Sequence, residues 1–232
     1  MTSLVAYQLD ESIATLTMDD GKVNALSPTM LDELRVAFDR ALEDRAVVVL
    51  TGRPGVFSAG FDLSVLRGGG DDALDMVRAG FTLAERMLSF PNPVVVACPG
   101  HAIAMGVFLV LSADYRIGVP GPFRIVANEV ALGITMPRAA VEICRQRLTP
   151  AAFNRAVILA EPHAPDAAVA AGFLDRVVEP PELQDAARAA ATQLAALDPD
   201  AHAATKLRAR ARTLEALRAA IEADDADFLG PT

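Results

Sequence analysis

Three segments of this chain hold residues whose types and spacing can do chemistry. The first, Arg53-Pro54-Gly55-Val56-Phe57-Ser58-Ala59-Gly60-Phe61-Asp62-Leu63, follows the apolar run Val47 to Leu50. Its small residues Ser58, Ala59 and Gly60 let a ligand approach the backbone. A backbone N–H exposed past such a turn can donate to a developing negative charge. The second, Pro99-Gly100-His101-Ala102-Ile103-Ala104-Met105-Gly106-Val107-Phe108, repeats the layout of apolar strand, small-residue turn and apolar helix. The unpaired N–H groups that open a helix suit an anion or an oxyanion. The third is Ala127-Asn128-Glu129-Val130-Ala131-Leu132-Gly133-Ile134, in which Glu129 is the only acidic residue between Asp114 and Glu142. Burial among its apolar neighbours would raise its pKa and suit it to proton transfer. Taken singly, each segment is weak: Ser58-Ala59-Gly60 fits an ordinary strand-to-helix turn, and Glu129 fits a surface loop slightly better. Taken together, two strand-turn-helix units facing each other supply two donors to an oxyanion, beside one carboxylate able to move its proton.

The elements that must position these residues can be read from pattern. Leu4 to Leu9 and Ile13 to Met18 form a hairpin across Asp10-Glu11-Ser12. Ser27-Pro28 starts a helix whose apolar positions Leu31, Leu34, Phe38 and Leu42 recur to about Asp44. Val47 to Leu50, Pro93 to Ala97 and Tyr115 to Val119 read as buried strands. Gly68-Gly69-Gly70-Asp71-Asp72 reads as a flexible loop ahead of a long helix from Ala73 to Ser89, and Gly106 to Leu111 as a short buried helix. From Pro137 the chain is almost all helical, broken at Pro150, Pro162-His163 and Pro165. A short strand, Asp175 to Val178, interrupts it, and Ala-rich helices at Glu182 to Leu197 and His202 to Ala223 follow. Met87 to Ala113 lacks any charged residue, but Pro91, Pro93 and Pro99-Gly100-His101 break it into strand, turn and helix rather than a membrane span.

Composition narrows the class. With 232 residues, 52 % of them hydrophobic and 22 % charged, the chain can bury one sizeable core. A net charge of −9 argues against a nucleic-acid partner, so any anionic ligand depends on a few local cations and on backbone N–H groups. Cys98 and Cys144 form neither a disulfide framework nor a metal site, and no signal peptide is evident at Met1-Thr2-Ser3-Leu4-Val5. The expected setting is the cytoplasm.

In their order and separation the three segments resemble the crotonase superfamily, the enoyl-CoA hydratase/isomerase group. The resemblance runs from Val23-Asn24-Ala25-Leu26 to about Val178. Arg-Pro-Gly-Val-Phe-Ser-Ala-Gly at 53–60, Asp114-Tyr115-Arg116-Ile117, and Asn128-Glu129 ahead of Leu132-Gly133-Ile134 are in the style of mitochondrial-type Δ3,Δ2-enoyl-CoA isomerases. The resemblance implies an α/β fold, the crotonase (ClpP-like) spiral of ββα units. Residues 1–136 would carry an oxyanion hole and Glu129, and a helical C-terminal region, 137–232, would serve trimer assembly. It implies an acyl-CoA thioester as substrate, with coenzyme A part of that substrate and no further cofactor or metal. A homotrimer or a dimer of trimers is the implied assembly. It places the oxyanion-hole N–H groups on Phe61 and Met105 and the catalytic carboxylate on Glu129. Lys22, Val23, Ala25, Ser58, Ala59, Asp62, Leu63, Gly106 and Phe108 would line the substrate crevice.

The chain departs from this pattern in three places. Hydratases of the group hold water between two glutamates, and the first would fall at Phe108, which cannot exchange a proton. Neither Asp114, six residues on and on another helical face, nor Asp62 nor His101 restores the pair, His101 reading as a turn histidine with a structural hydrogen bond. What remains natural is double-bond migration by one base, with a hydratase or a non-catalytic acyl-CoA-binding protein as the rival readings. Met105 stands where glycine is usual; its N–H survives if φ is negative, and its side chain either narrows the acyl pocket or packs the core. The chain ends at Thr232, soon after its Ala-rich helix, where family members often carry a further helix over the CoA. Lys22 and Arg67 are candidate phosphate ligands by position, and equally plain surface charges.

Overall fold

A computed structural model describes residues 3–228 of the chain. The hairpin forms as β1 (Val5–Asp10) and β2 (Ile13–Met18), antiparallel and in register from Val5 opposite Met18 to Asp10 opposite Ile13. Helix α1 (Pro28–Glu43) starts where Ser27 accepts the Met30 N–H, with Pro28 in the first turn. Three ββ units then follow: β3 (Val47–Thr51) with β4 (Gly55–Ser58), β5 (Val94–Cys98) with β6 (Gly100–Ile103), and β7 (Tyr115–Gly118) with β8 (Ile125–Val126). The helices between them are α2 (Leu63–Gly68), α3 (Gly70–Ser89) and α4 (Met105–Leu111). Each unit gives its first strand to a six-stranded sheet, β1-β2-β3-β5-β7-β9, and its second to a three-stranded sheet, β4-β6-β8. That alternation is the spiral of ββα turns, as expected from the resemblance.

The rest of the chain is helical apart from β9 (Arg176–Val177), which pairs with β7. It comprises α5 (Arg138–Arg145), α6 (Pro150–Leu159), α7 (Pro165–Ala171), α8 (Leu183–Ala195) and α9 (Pro199–Phe228). The large sheet is buried on both faces, which is why its strands read as continuous apolar runs. On one face Val47, Val49, Val95, Ala97 and Ile117 pack under α8; on the other Val48, Leu50, Val94 and Val96 join the main core with α1, α3 and α4.

Two expectations need correction. Residues 68–72 are not a flexible loop: α2 runs to Gly68 and α3 begins at Gly70, with Gly69 (φ 64°) alone between them. Asp71 and Asp72 lie in the first turn of α3, where carboxylates offset the positive end of the helix dipole, so the helix extends back past Ala73. The segments read as turns before Phe61 and Met105 hold strands β4 and β6, which pair in parallel. Strands this short, rich in glycine and small residues, carry no periodic signal of their own. The charge-free stretch 87–113 resolves as expected into strand and helix, and no described helix is long and apolar enough to cross a membrane.

Candidate active site

The small sheet builds the site. Its strands run parallel, with Val56 opposite His101, Ser58 opposite Ala102, and Ile103 opposite Val126. Phe61 follows the end of β4, Met105 the end of β6 and Glu129 the end of β8. The three chemical segments therefore leave the carboxyl edge of one sheet from adjacent strands, about 4.8 Å apart. That edge is where open α/β sheets place their ligands.

Two glycines allow the first two turns to meet. Gly60 adopts φ +92°, and a methyl group on it would lie 2.9 Å from Ala104 Cβ and 3.4 Å from the Met105 nitrogen. A methyl on Gly106 would lie 2.6 Å from the Ser58 carbonyl oxygen. Backbone strain is held one residue before Met105, where Ala104 takes φ 50°. Met105 opens α4 outside the positive-φ residues, so glycine at 105 is not needed to aim its N–H. Leu26 N–H donates to Gly60 O, and Asp62 N–H donates to Leu26 O, which clamps Phe61 from both sides. Among the described residues, neither the Phe61 N–H nor the Met105 N–H has an acceptor within the protein.

Glu129 lies at the start of the short 3-10 turn Val130–Leu132 and is only 8 % exposed. Its Oε2 is buried without a hydrogen-bond partner, and so is Oδ1 of Asn128. Burial pushes the Glu129 carboxyl up to about 7. Its charge is felt at Cys144 of α5, whose thiol burial and then Glu129 drive well above the usual range. Phe108 is 1 % exposed and stacks on Phe81 of α3 (6.2 Å, 28°), while Phe81 meets the Phe61 ring edge-on (6.2 Å, 72°). Phe108 is thus part of an aromatic cluster with Phe81 and Phe61. Met105 is fully buried against the core, so its side chain is core packing.

The loop at 22–26 is laced to the first turn. Ala59 N–H donates to Val23 O (3.0 Å), Ser58 Oγ to Asn24 O (2.7 Å), and Asn24 Nδ2 to Phe57 O (3.1 Å). Asn24, wholly buried with φ 51°, is held by Asp20, which accepts N–H groups from Lys22, Asn24 and Ala25. Burial acts to raise the Asp20 pKa, but those three donors outweigh it and leave the carboxyl below its ordinary value. Lys22, Val23 and Leu63 are exposed at this edge, with Ala25 half-buried beside them. Arg53 joins them by donating to Lys22 O (2.9 Å), while Arg67 projects from the last turn of α2.

Three alternative acids and bases fall away on geometry. Asp62 caps α2 through the Ser64 N–H and hydroxyl, and those bonds hold its carboxyl low. His101 accepts the Arg124 N–H at Nδ1 and lies edge-on to Phe123, the structural role expected of it. Asp114 accepts the Val94 N–H and pairs with Lys206 and Arg210, at the amino-terminal ends of β5 and β7 rather than at the small sheet's carboxyl edge. Sequence reasoning missed Asp20, Arg53, Gly80 and Phe81. Asp19-Asp20-Gly21 was a visible turn signal, whereas Phe81 and Gly80 showed only ordinary helical spacing.

Known proteins share this arrangement. The family model for enoyl-CoA hydratase/isomerase matches residues 8–230. An enoyl-CoA hydratase/isomerase family protein from Pseudomonas syringae is 53 % identical, with a TM-score of 0.95 over 97 % of this chain and 98 % of that one. A Mycobacterium tuberculosis protein, named an enoyl-CoA isomerase in one structure and a probable enoyl-CoA hydratase in another, is 48 % identical, with a TM-score of 0.94 over 98 % of this chain and all of the other in the first. Human mitochondrial enoyl-CoA delta isomerase 1 is 30 % identical over 97 % of this chain and 76 % of its own length. Other relatives carry hydratase or dehydratase names. The matched span and the shared spiral establish that the chain belongs to the enoyl-CoA hydratase/isomerase family.

Proposed function

We propose that this acyl-CoA enzyme moves a double bond, converting 3-enoyl-CoA into 2-trans-enoyl-CoA. The observation that carries the reading is a single buried carboxylate, Glu129, at a site whose second acid position is Phe108 in an aromatic stack. Glu129 removes a C2 proton from the thioester. The electron pair moves to the thioester oxygen, and the enolate is held by the N–H groups of Phe61 and Met105. The enolate then re-forms the carbonyl as the double bond shifts from C3–C4 to C2–C3, and Glu129 returns the proton to C4. No atom is gained or lost. A carboxyl with a pKa about 7 suits both transfers, being ionised and protonated in comparable amounts near neutrality. Water addition instead needs a second group to activate and place water, and the Phe61–Phe81–Phe108 cluster offers only ring carbon. The isomerase name of the human relative supports the same choice.

Lys22, Val23, Ala25, Ala59, Asp62 and Leu63 are proposed to line the crevice for the CoA portion, with Arg53 added as a cation at its mouth; Ser58 and Gly106, expected on its wall, are buried and pack beneath it instead. The assembly is proposed to be a homotrimer or a dimer of trimers formed through residues 137–232, in the cytoplasm; light scattering of the purified protein reads the copy number directly. The reaction is tested by offering trans-3-enoyl-CoA and trans-2-enoyl-CoA separately. Isomerisation of the first with slow hydration of the second is expected. Fast water addition to the 2-enoyl thioester overturns the reading in favour of a hydratase, and binding without turnover of either points to a non-catalytic acyl-CoA-binding protein.

A further inference from the structure

The side chains of Phe61 and Met105 meet at one point of α3. A methyl group on Gly80 would lie 2.5 Å from Phe61 Cε1, 2.6 Å from Phe61 Cζ and 3.5 Å from Met105 Cγ. Gly80 is buried in the middle of a 20-residue helix, where glycine is among the poorest helix formers. It is not among the positive-φ glycines, so conformational freedom does not explain it; space does. The notch it leaves receives the Phe61 ring, and Met105 rests against the same spot. Phe81, the next residue, touches the Phe61 ring from the side. Helix α3 is itself fixed in place by Arg86 to Asp39 of α1 and by Glu85 and Arg78 to Arg218 and Asp225 of α9.

We propose that Gly80 is a positioning residue: its notch references both oxyanion donors to one rigid helix and so sets their relative geometry. The inference rests on the reading that the Phe61 and Met105 N–H groups hold an enolate. The peptide of Phe61 is clamped on its backbone side by Leu26 and on its side-chain side by the notch. Filling the notch forces the ring out and removes the second clamp. A donor displaced by a fraction of an ångström loses most where the charge is greatest, in the transition state, and little in the ground-state thioester.

The test is a double-mutant cycle of Gly80→Ala and Phe61→Leu. Leucine keeps the N–H of residue 61 but lacks the Cε1 and Cζ atoms that a methyl at 80 would strike. Two readouts are taken: turnover of trans-3-enoyl-CoA, and the fraction of bound acetoacetyl-CoA present as enolate, read from its ultraviolet absorbance. Gly80→Ala is expected to lower kcat ~10- to 100-fold with KM little changed, and to lower the enolate fraction. Its melting temperature is expected to fall somewhat, because displacing the buried ring costs more than the better helix propensity of alanine offsets. Adding Phe61→Leu to Gly80→Ala should recover at least about tenfold in kcat, a coupling that independent sites do not show. Should Gly80→Ala fail to fold, the double variant is still expected to fold and to form enolate. The proposal is overturned by wild-type kcat and enolate fraction in Gly80→Ala, by a rise in KM alone, which would mark a ring blocking the crevice, or by a double variant no better than Gly80→Ala. An enolate fraction that follows the cycle in a protein unable to isomerise overturns the proposed reaction and leaves the positioning role standing.

Discussion

Glu129 combines burial, an unpartnered oxygen and a raised pKa, and each has a measurable consequence. Glu129→Gln removes the base while keeping shape, and should lower turnover of the 3-enoyl thioester by ~10² or more. In the wild type, kcat/KM should rise with pH through about 7 as the carboxyl ionises. Stability should run the other way. The folded carboxyl titrates near 7 and the unfolded one near 4.5, so between those values the folded state holds the proton and the unfolded state does not. Folding therefore loses stability as pH rises through that window, by about 3 kcal/mol once it is passed. Glu129→Gln has nothing to ionise. It should be more stable than wild type at pH 8 and nearly equal to it at pH 4, by urea unfolding at the two pH values. Equal stability at both would mean that the carboxylate is well solvated when charged.

At the scale of elements, two features shape the site: the loop tied down by Asp20, and the aromatic face of α3. Asp20 holds three N–H groups of the loop beside the first turn. Asp20→Ala leaves Asn24 in its positive-φ conformation without that support. The expected outcome is a rise in KM for CoA thioesters larger than the fall in kcat, because the loop is proposed to hold the CoA portion and not the reacting carbons. Phe81 is 2 % exposed between Phe61 and Phe108. Phe81→Ala should cost roughly 3–5 kcal/mol by chemical denaturation, as large-to-small changes of buried phenylalanine do. In the variant that remains folded, isomerisation should fall. A rise in hydration of the 2-enoyl thioester would show that the cavity admits water to the place Phe108 denies it.

Across the whole molecule, the C-terminal helix is joined to the α/β body at one buried polar node. Asp114 accepts the Val94 N–H and pairs with Lys206 (2.7 Å) and Arg210 (2.9 Å). Lys206 is 7 % exposed, and burial outweighs Asp114 in pushing its ammonium down to about 8. Asp114→Ala leaves two sheltered cations without a carboxylate, with only the Asn92 and Leu88 carbonyls to bond, and should destabilise by about 3–5 kcal/mol. Arg218→Ala, which breaks a solvent-exposed pair farther along the same helix, should cost about 1 kcal/mol or less. Comparable losses from both would mean that the node is solvated rather than buried. Because α9 also braces α3, the Asp114 variant bears on the site through the helix that carries Gly80 and Phe81.

Much of this was legible in the amino-acid sequence. Val47 to Leu50 and Val94 to Ala97 announced buried strands because a sheet covered on both faces requires unbroken apolar runs. Ser27-Pro28 announced the start of α1, because its chemistry is local. The order of Ser58-Ala59-Gly60-Phe61, Met105-Gly106 and Asn128-Glu129 named the family and the residues to watch. The sequence could not show that these segments leave adjacent strands of one small sheet, since β4, β6 and β8 are too short and too rich in small residues to carry a period. Nor could it decide whether Glu129 was buried, because its own neighbours Val130, Leu132 and Ile134 stay exposed while distant segments, α6 and Cys144 of α5 among them, approach it. Gly68-Gly69-Gly70 misled for a local reason: the glycines do break the helix, but the break is the single positive-φ residue Gly69 between α2 and α3 rather than a loop. Gly80 was silent, for only packing reveals that its missing side chain is occupied by Phe61. Local rules acting within a few residues determined elements and candidate chemistry; contacts between distant segments decided which candidates meet.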